Sequence, residues 1–385
     1  MQRMPGLDLM RAIAILWVML FHAMVGGLSL PGNNIARFGW MGVDLFFVLS
    51  GFLIGSQLLQ TLKTTGTVSC GRFYLRRAFR ILPAFWVMVV LYFNLPGIRE
   101  FQEIQPWWQF LTFTENLLID YSIPKAFSHV WSLCVEEHFY LLLPVLVWAM
   151  ARRPSAVNVV VVSVSIILGG LLLRWYVWQH DLAPVQGIVE GPGNFFQLYI
   201  ERIYYPTYTR LDGLLAGVAL AIVNVYHPKQ WAWLMLRANG LLLAGVVGMA
   251  CSLYLFVDRF AFLPAVIGFP LLSWSLAMLV AAAASPFSLI GRFRLPGVTV
   301  VATLAYSLYL THKAVFHCVQ VQWGNKLMAN PVLAYVCYGG AALVAGGGLY
   351  WLVERPGLHL RDWLLGHAMP AAETVTTTAI MVRNP

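Results

Sequence analysis

Apolar runs about twenty residues long recur from one end of this chain to the other, and that feature decides most of what it can fold into. Coiled as an α-helix at about 1.5 Å per residue, such a run matches the hydrocarbon thickness of a bilayer. Inside hydrocarbon every backbone N–H and C=O must be paired, so spans of this kind are helices. Hydrophobic residues make up 59% of the 385 and charged residues only 11%, against about 25% charged in a soluble domain. The sequence therefore predicts an all-α, polytopic membrane protein.

Ten spans are expected, at about 9–30, 39–60, 81–95, 130–150, 157–178, 211–227, 239–257, 261–283, 298–321 and 332–353. With the N-terminus in the cytoplasm, fifteen of the 25 Lys and Arg residues fall in inside segments and seven in outside segments. The positive-inside rule then predicts that both termini are cytoplasmic, in a multi-pass protein of the cytoplasmic (inner) membrane. Residues 1–361 read as one membrane domain and 362–385 as a short, disordered cytoplasmic tail. The N-terminus superficially resembles a signal peptide, but His22 interrupts its apolar run and the run is long enough to span, so a retained helix is expected.

The net charge of +9 lies in short inter-helix loops rather than in one basic tract, which speaks against a nucleic-acid partner. Five scattered cysteines form neither a disulfide framework nor a zinc spacing, and no metal is expected. Two outside connections are long, about 96–129 and 179–210. The first contains Pro106-Trp107-Trp108-Gln109-Phe110-Leu111, suited to an interfacial or re-entrant helix. The second ends in a tyrosine-rich run, Tyr199 to Tyr208, which fits either a sugar-contacting surface or an aromatic interface anchor.

Ionisable groups inside spans are costly and usually face a bundle interior or a wet cavity. The first span carries Asp8, Arg11 and His22. Arg11 and His22 are eleven residues apart, about three turns, so they share a face at about 16 Å along the axis. In the second span Asp44 precedes Val48, Gly51 and Gly55, a partly small face that invites close helix approach. In the fourth, His129, Ser132, Glu136 and Tyr140 share one face, whereas Glu137 falls with Val130, Leu141 and Pro144. Asp212 opens the sixth span, and Tyr306, Tyr309, His312, Lys313 and His317 form a polar stripe in the ninth.

On this topology His22, Asp44, Glu136, Asp212 and His312 project to one level in the outer half, with Arg11 and the arginines of 72–80 at the cytoplasmic side. Such a cavity fits a polyanionic cytosolic donor meeting a neutral hydroxyl acceptor. Acyl-CoA has that shape, with phosphates at one end and a thioester at the tip. Arginine forks suit phosphates. A histidine suits deprotonation of a hydroxyl, with a carboxylate such as Glu136 or Asp44 to orient it. Taken singly, the arginines also read as orientation determinants, Asp8 and Arg11 as a helix-start ion pair, and a span histidine as a structural hydrogen bond. A transporter or flippase for a polar lipid or sugar is the rival reading, since intramembrane polar groups also mark transport paths.

The motifs in order resemble those of acyltransferase family 3, the integral membrane O-acyltransferases. They are Leu7-Asp8-Leu9-Met10-Arg11 spaced as Arg-x10-His to His22, Gly42-Val43-Asp44-Leu45-Phe46-Phe47-Val48-Leu49-Ser50-Gly51-Phe52, and Arg77-x-x-Arg80 before Pro83. Further on come Trp131-Ser132-Leu133-Cys134-Val135-Glu136-Glu137, Arg210-Leu211-Asp212-Gly213, Tyr306-Ser307-Leu308-Tyr309-Leu310-Thr311-His312 and Glu354-Arg355-Pro356. The resemblance implies transfer of an acyl group, most often acetyl, from cytosolic acyl-CoA to an extracytoplasmic or lipid-linked carbohydrate or another hydroxylated acceptor. It implies a catalytic role for His22 and donor-side roles for Arg11, Arg77 and Arg80. Glu136 and Asp44 are expected to assist His22, and Ser132, Asp212, Tyr309 and His312 to bind substrate or support the site. Lys313-Ala314 departs from the Trp-Pro that many relatives carry after the ninth-span histidine. The stand-alone membrane form is expected, without the hydrolase-like domain of larger members.

Overall fold

A computed structural model describes residues 4–28, 34–152, 155–327 and 330–367. Ten long helices run close to the expected positions: α1 (Pro5–Val25), α2 (Met41–Thr65), α3 (Cys70–Asn94), α4 (Trp131–Ala151) and α5 (Ala156–Val177), then α6 (Asp212–Tyr226), α7 (Ala238–Leu255), α8 (Phe269–Ala284), α9 (Val298–Leu327) and α10 (Pro331–Leu349). A further helix, α11 (Arg355–His367), continues past the boundary expected at Arg361. The remainder of the expected tail, 368–385, lies outside the described residues.

Among the described residues seven helices are long and apolar enough to cross a membrane. Those containing α3, α6 and α9 are not among the seven, and the chemistry of each explains why. The helix α3 starts at Cys70, well before the expected 81, because the basic segment Arg72–Arg80 forms its first turns. The Ser69 side chain caps it by accepting from the Arg72 N–H. The helix α6 is only 15 residues long, and α9 carries the polar stripe.

The apolar surface is arranged for lipid rather than water. Val157, Val160, Val161, Val164, Leu168 and Leu172 of α5 are all exposed, as are Leu243, Val246 and Val247 of α7. In water such belts would drive association, whereas hydrocarbon solvates them. With lipid outside, close helix packing relies on small residues. The Gly51/Gly55 face of α2 meets Gly213 and Gly217 of α6, as the spacing predicts. A Cβ built on Gly51 would lie 2.1 Å from the Leu214 carbonyl oxygen, and one on Gly217 would lie 2.3 Å from that of Val48. Neither position can carry a side chain without separating the helices.

The expected interfacial helix at 106–111 is the short Trp107–Leu111. Trp107 and Trp108 are exposed while Phe110 is buried in a ring cluster with Phe93 and Phe127. The connection between α3 and α4 is tied back at two points. Arg99 donates to the Tyr92 and Phe93 carbonyls at the end of α3, at 2.6 and 3.2 Å, which satisfies groups a helix end leaves open. Glu100 pairs with Lys313 of α9 at 2.7 Å and accepts from the Phe127 N–H. Single π-helical turns occur at Trp178–Leu182, Ile200–Tyr204, Pro264–Gly268 and Tyr350–Glu354. The last delivers Glu354 to the interior, where it is buried.

Candidate functional site: an imidazole cluster and an arginine cluster joined by one helix face

The interior polar groups gather at two ends of α4. At its N-terminal end three imidazoles meet. The rings of His22 (last turn of α1) and His312 (α9) are hydrogen-bonded, Nδ1 of the first to Nε2 of the second, at 2.8 Å. His129, in the turn Ser128–Val130 that leads into α4, has its ring centroid 6.1 Å from His22 and 5.1 Å from His312. His312 and His129 are buried, and His22 is the least enclosed residue of the three. Nδ1 of His312 faces the carbonyls of Leu308 and Tyr309 at 3.1 and 2.8 Å. Neither ring nitrogen of His129 has a hydrogen-bond partner among the described residues. Lys313 is within electrostatic reach of all three rings. Its partner Glu100, in the α3–α4 connection, is largely buried. Burial, the largest single effect, would raise that carboxyl, but the Lys313 ammonium and the backbone N–H groups it accepts from together hold it below the usual carboxylate value.

The α4 face foreseen from the sequence is the lane between the clusters. Ser132 Oγ meets the Tyr309 hydroxyl at 2.7 Å, and that hydroxyl donates to the His129 carbonyl at 2.7 Å. One turn on, Glu136 accepts from Ser50 at 2.9 Å and from Tyr140 at 3.0 Å. The Arg77 guanidinium covers the Tyr140 ring at 4.2 Å. Arg80 then interacts electrostatically with Arg77, with Arg11 of α1 and with Glu354, which accepts from Ser307 at 2.7 Å. Arg11 itself pairs with Asp8 at 3.1 Å. Glu137 also reaches Arg77 and Glu136 electrostatically, although its helix face pointed elsewhere.

These contacts make α1 and α4 run in opposite directions past one another. His22 and Arg11 are eleven residues apart, and so are His129 and Tyr140. Each pair therefore spans about 16 Å, with imidazoles at one end and arginines at the other.

The five residues expected at one level do not all meet. The structure brings His22 and His312 together. Glu136 lies toward the arginines and makes no hydrogen bond to His22 among the described residues, so it is not the group that orients that imidazole. Asp44 is not either: both its oxygens accept from Arg210 Nη2, at 2.9 and 3.1 Å. Arg210 is further enclosed by the rings of Phe269, Tyr204 and Trp131. Asp212, expected at the substrate, pairs instead with Arg174 at 2.7 Å. Arg174 also donates to the Thr209 and Val266 carbonyls, which staples α5 to the start of α6 and to the turn before α8. The physical reason is the same for both acids. A buried carboxylate is tolerated only with a partner, and a fully buried arginine supplies one.

Sequence reasoning gave no role to several members of these networks, Glu100 and Arg210 among them. Arg174, a lone cation in an apolar run, was the clearest missed signal, since such a charge demands a buried acid. Ser50 and Glu354 lay within quoted motifs without a role, and His129 sat on the correct face of α4. Among the described residues no group of three or more His, Cys, Asp or Glu is arranged for a metal. A surface cavity of about 470 Å³, lined by residues including Tyr254, Asp258, Phe262 and Pro264, shares no residue with either cluster.

Fold and interior together define a polytopic all-α membrane protein whose core holds a histidine cluster connected to an arginine cluster. The profile of the Acyltransferase domain family matches residues 4–351, and the chain belongs to that family. It is similar to the O-acetyltransferase OatA of Staphylococcus aureus strain NCTC 8325 / PS 47, 28% identical over 338 residues, which cover 80% of this chain and 50% of the relative. It is also similar to a putative O-acetyltransferase of Staphylococcus aureus strain MSSA476, 27% identical over 390 residues, covering 94% and 59%. The chain spans about half the length of the curated relatives it matches. No solved structure matches it.

Proposed function

We propose that this chain is an integral membrane O-acetyltransferase that moves an acetyl group from cytosolic acetyl-CoA to a hydroxyl of an extracytoplasmic or lipid-linked carbohydrate. Ten spans with both termini cytoplasmic, in the cytoplasmic membrane, put the arginine end on the cytosolic side and the imidazole end toward the opposite face. The observation that carries the reading is the pairing of the two clusters across about 16 Å, along both α1 and α4. In this scheme Arg11, Arg77 and Arg80 hold the phosphates of the donor. The lane past Tyr140, Glu136 and Ser132 receives its arm, and the thioester reaches His22. Family membership and the names of the relatives support acetyl transfer.

His22 then acts as general base. It takes the acceptor hydroxyl proton as the oxygen attacks the thioester carbon, and returns that proton to the departing CoA thiolate. The products are an O-acetyl ester and CoA. The test is purified protein in lipid nanodiscs with labelled acetyl-CoA and hydroxylated acceptors. Free CoA should appear only when an acceptor is present, and His22→Ala should abolish it. A folded His22→Ala protein with full transfer would refute the role of His22. Acceptor movement across the membrane without CoA release would favour the transporter reading.

A further inference from the structure

A base that works through one ring nitrogen needs its other nitrogen fixed, and the carboxylates expected to do this are engaged elsewhere. The group that touches His22 is another imidazole, and the surroundings of that second ring determine how the protons lie. Nδ1 of His312 faces two backbone carbonyl oxygens, Leu308 at 3.1 Å and Tyr309 at 2.8 Å. Carbonyl oxygens only accept, so this nitrogen carries the hydrogen. A neutral imidazole then has a bare Nε2, and that nitrogen lies 2.8 Å from His22 Nδ1. His22 must therefore donate through Nδ1. What remains is His22 Nε2, whose lone pair has no hydrogen-bond partner among the described residues. The reverse tautomers would set the bare Nδ1 of His312 against two oxygen lone pairs.

We infer that His312 is a positioning residue that fixes His22 in its Nδ1–H tautomer and presents His22 Nε2 as the base, the task a carboxylate performs in a catalytic triad. The inference rests on the acetyl-transfer reading and extends it to the group behind the base. During transfer the acceptor proton goes to His22 Nε2, the acceptor oxygen bonds to the acetyl carbon, and the carbon–sulfur bond breaks. The thiolate takes the proton from the same Nε2. His312 neither gains nor loses a proton; its Nε2 accepts from His22 Nδ1–H throughout and stabilises the imidazolium that forms. Burial serves this role, because a fully buried His312 offers its lone pair to no other partner. His129 and Lys313 face the same pair from the α4 lead-in and from α9, with Glu100 holding the ammonium on its far side.

Three substitutions separate positioning from packing. Glutamine places an oxygen near the site of Nε2, and asparagine places one near Nδ1, short of His22. His312→Gln should keep kcat within about tenfold. His312→Asn and His312→Leu should lower kcat by about 10³- to 10⁴-fold, the scale seen when a base is left in the wrong tautomer. KM for acetyl-CoA should stay within about twofold in all three. Histidine ¹⁵N NMR should show a bare His22 Nε2 in the wild type and in His312→Gln, and a mixture of tautomers in His312→Leu. Equal activity of the Gln and Asn variants, or a loss in KM rather than kcat, would overturn the inference. So would a wild-type His22 protonated at Nε2, a spectrum that needs no variant to fold. Wild-type protein that releases no CoA with any acceptor would instead overturn the acetyl-transfer reading, and this role with it.

Discussion

Removing the Asp44 carboxylate tests whether that acid is scaffold or chemistry. Its side chain is 3% exposed and that of Arg210 is 1%, so Asp44→Leu leaves a guanidinium buried without a counter-charge. Breaking a buried pair on one side costs about 3–5 kcal/mol. Arg210 keeps its aromatic enclosure, with Phe269 at 4.0 Å and Tyr204 at 4.8 Å from the guanidinium carbon. These cation–π contacts are present with or without Asp44, so they cancel in the difference and the expected loss stays at about 3–5 kcal/mol. Arg210→Met should be at least as damaging, because it leaves Asp44 facing Asp212 with one arginine between them. The double variant Asp44→Leu/Arg210→Met removes both charges and fills the space with carbon, a replacement that is often neutral or stabilising by about 1–4 kcal/mol. Reversible unfolding in mixed micelles should therefore rank the double variant near the wild type and both singles below it. Acetyl transfer measured on the same preparations should return in the double variant. A double variant as unstable as the singles would refute the ion-pair argument. A stable but inactive one would return Asp44 to the reacting groups.

Gly217→Leu in α6 should disrupt α2–α6 packing far more than Gly240→Leu in α7, because a Cβ at 217 meets the Val48 carbonyl and one at 240 meets nothing; yield and melting of the two proteins in detergent check this. The Glu100–Lys313 pair gives a pH dependence of known sign. A carboxyl held below its usual value contributes stability that is fully present above the unfolded-state value and is lost as pH falls through the folded one, so acid unfolding of Glu100→Gln should lack that component. Truncating the donor to S-acetyl-pantetheine should raise KM by removing the phosphates, and Arg80→Ala should then add little. Independent, multiplying effects of truncation and substitution would show that Arg80 does not contact the phosphates.

The helices were legible because the lipid-facing code is simple: length and hydrophobicity located the apolar segments, and the largest miss is the start of α3, eleven residues earlier than expected because its first turns are basic. Faces were legible too where helical periodicity alone decides them, as with the His129–Tyr140 lane and the Gly51/Gly55 contact. Depth was less informative than it first looks. Asp44, Asp212 and His22 are expected at comparable depth, but they face different neighbours, and no single helix encodes which arginine a carboxylate will find. Arg174 and Arg210 come from separate segments and settle the matter only once α5, α6 and α8 are packed. The His22–His312 contact is of the same kind. Its partners are 290 residues apart, and the expectation of a carboxylate partner followed the commoner chemistry of triads rather than anything in the chain.

Burial sorts the interior polar groups by role. Asp44, Arg210 and Arg174 are almost wholly enclosed, and each is engaged by a named partner, which is how a membrane protein fixes helix register. Arg11, Arg77, Glu136 and His22 are only partly buried, and Arg80 is exposed. A charged group inside a bundle cannot stay accessible by facing hydrocarbon, where exposure costs several kcal/mol. Accessibility between helices means a hydrated space. Arg11, Arg77, Arg80, Glu136 and His22 stay accessible, whereas Asp44, Arg210 and Arg174 are closed in ion pairs; Ser132 and Tyr140, between the arginines and His22, are also enclosed and held by hydrogen bonds. A structural role accounts for the second group. For the first, charged groups that stay accessible inside a bundle are what a path for a charged ligand requires.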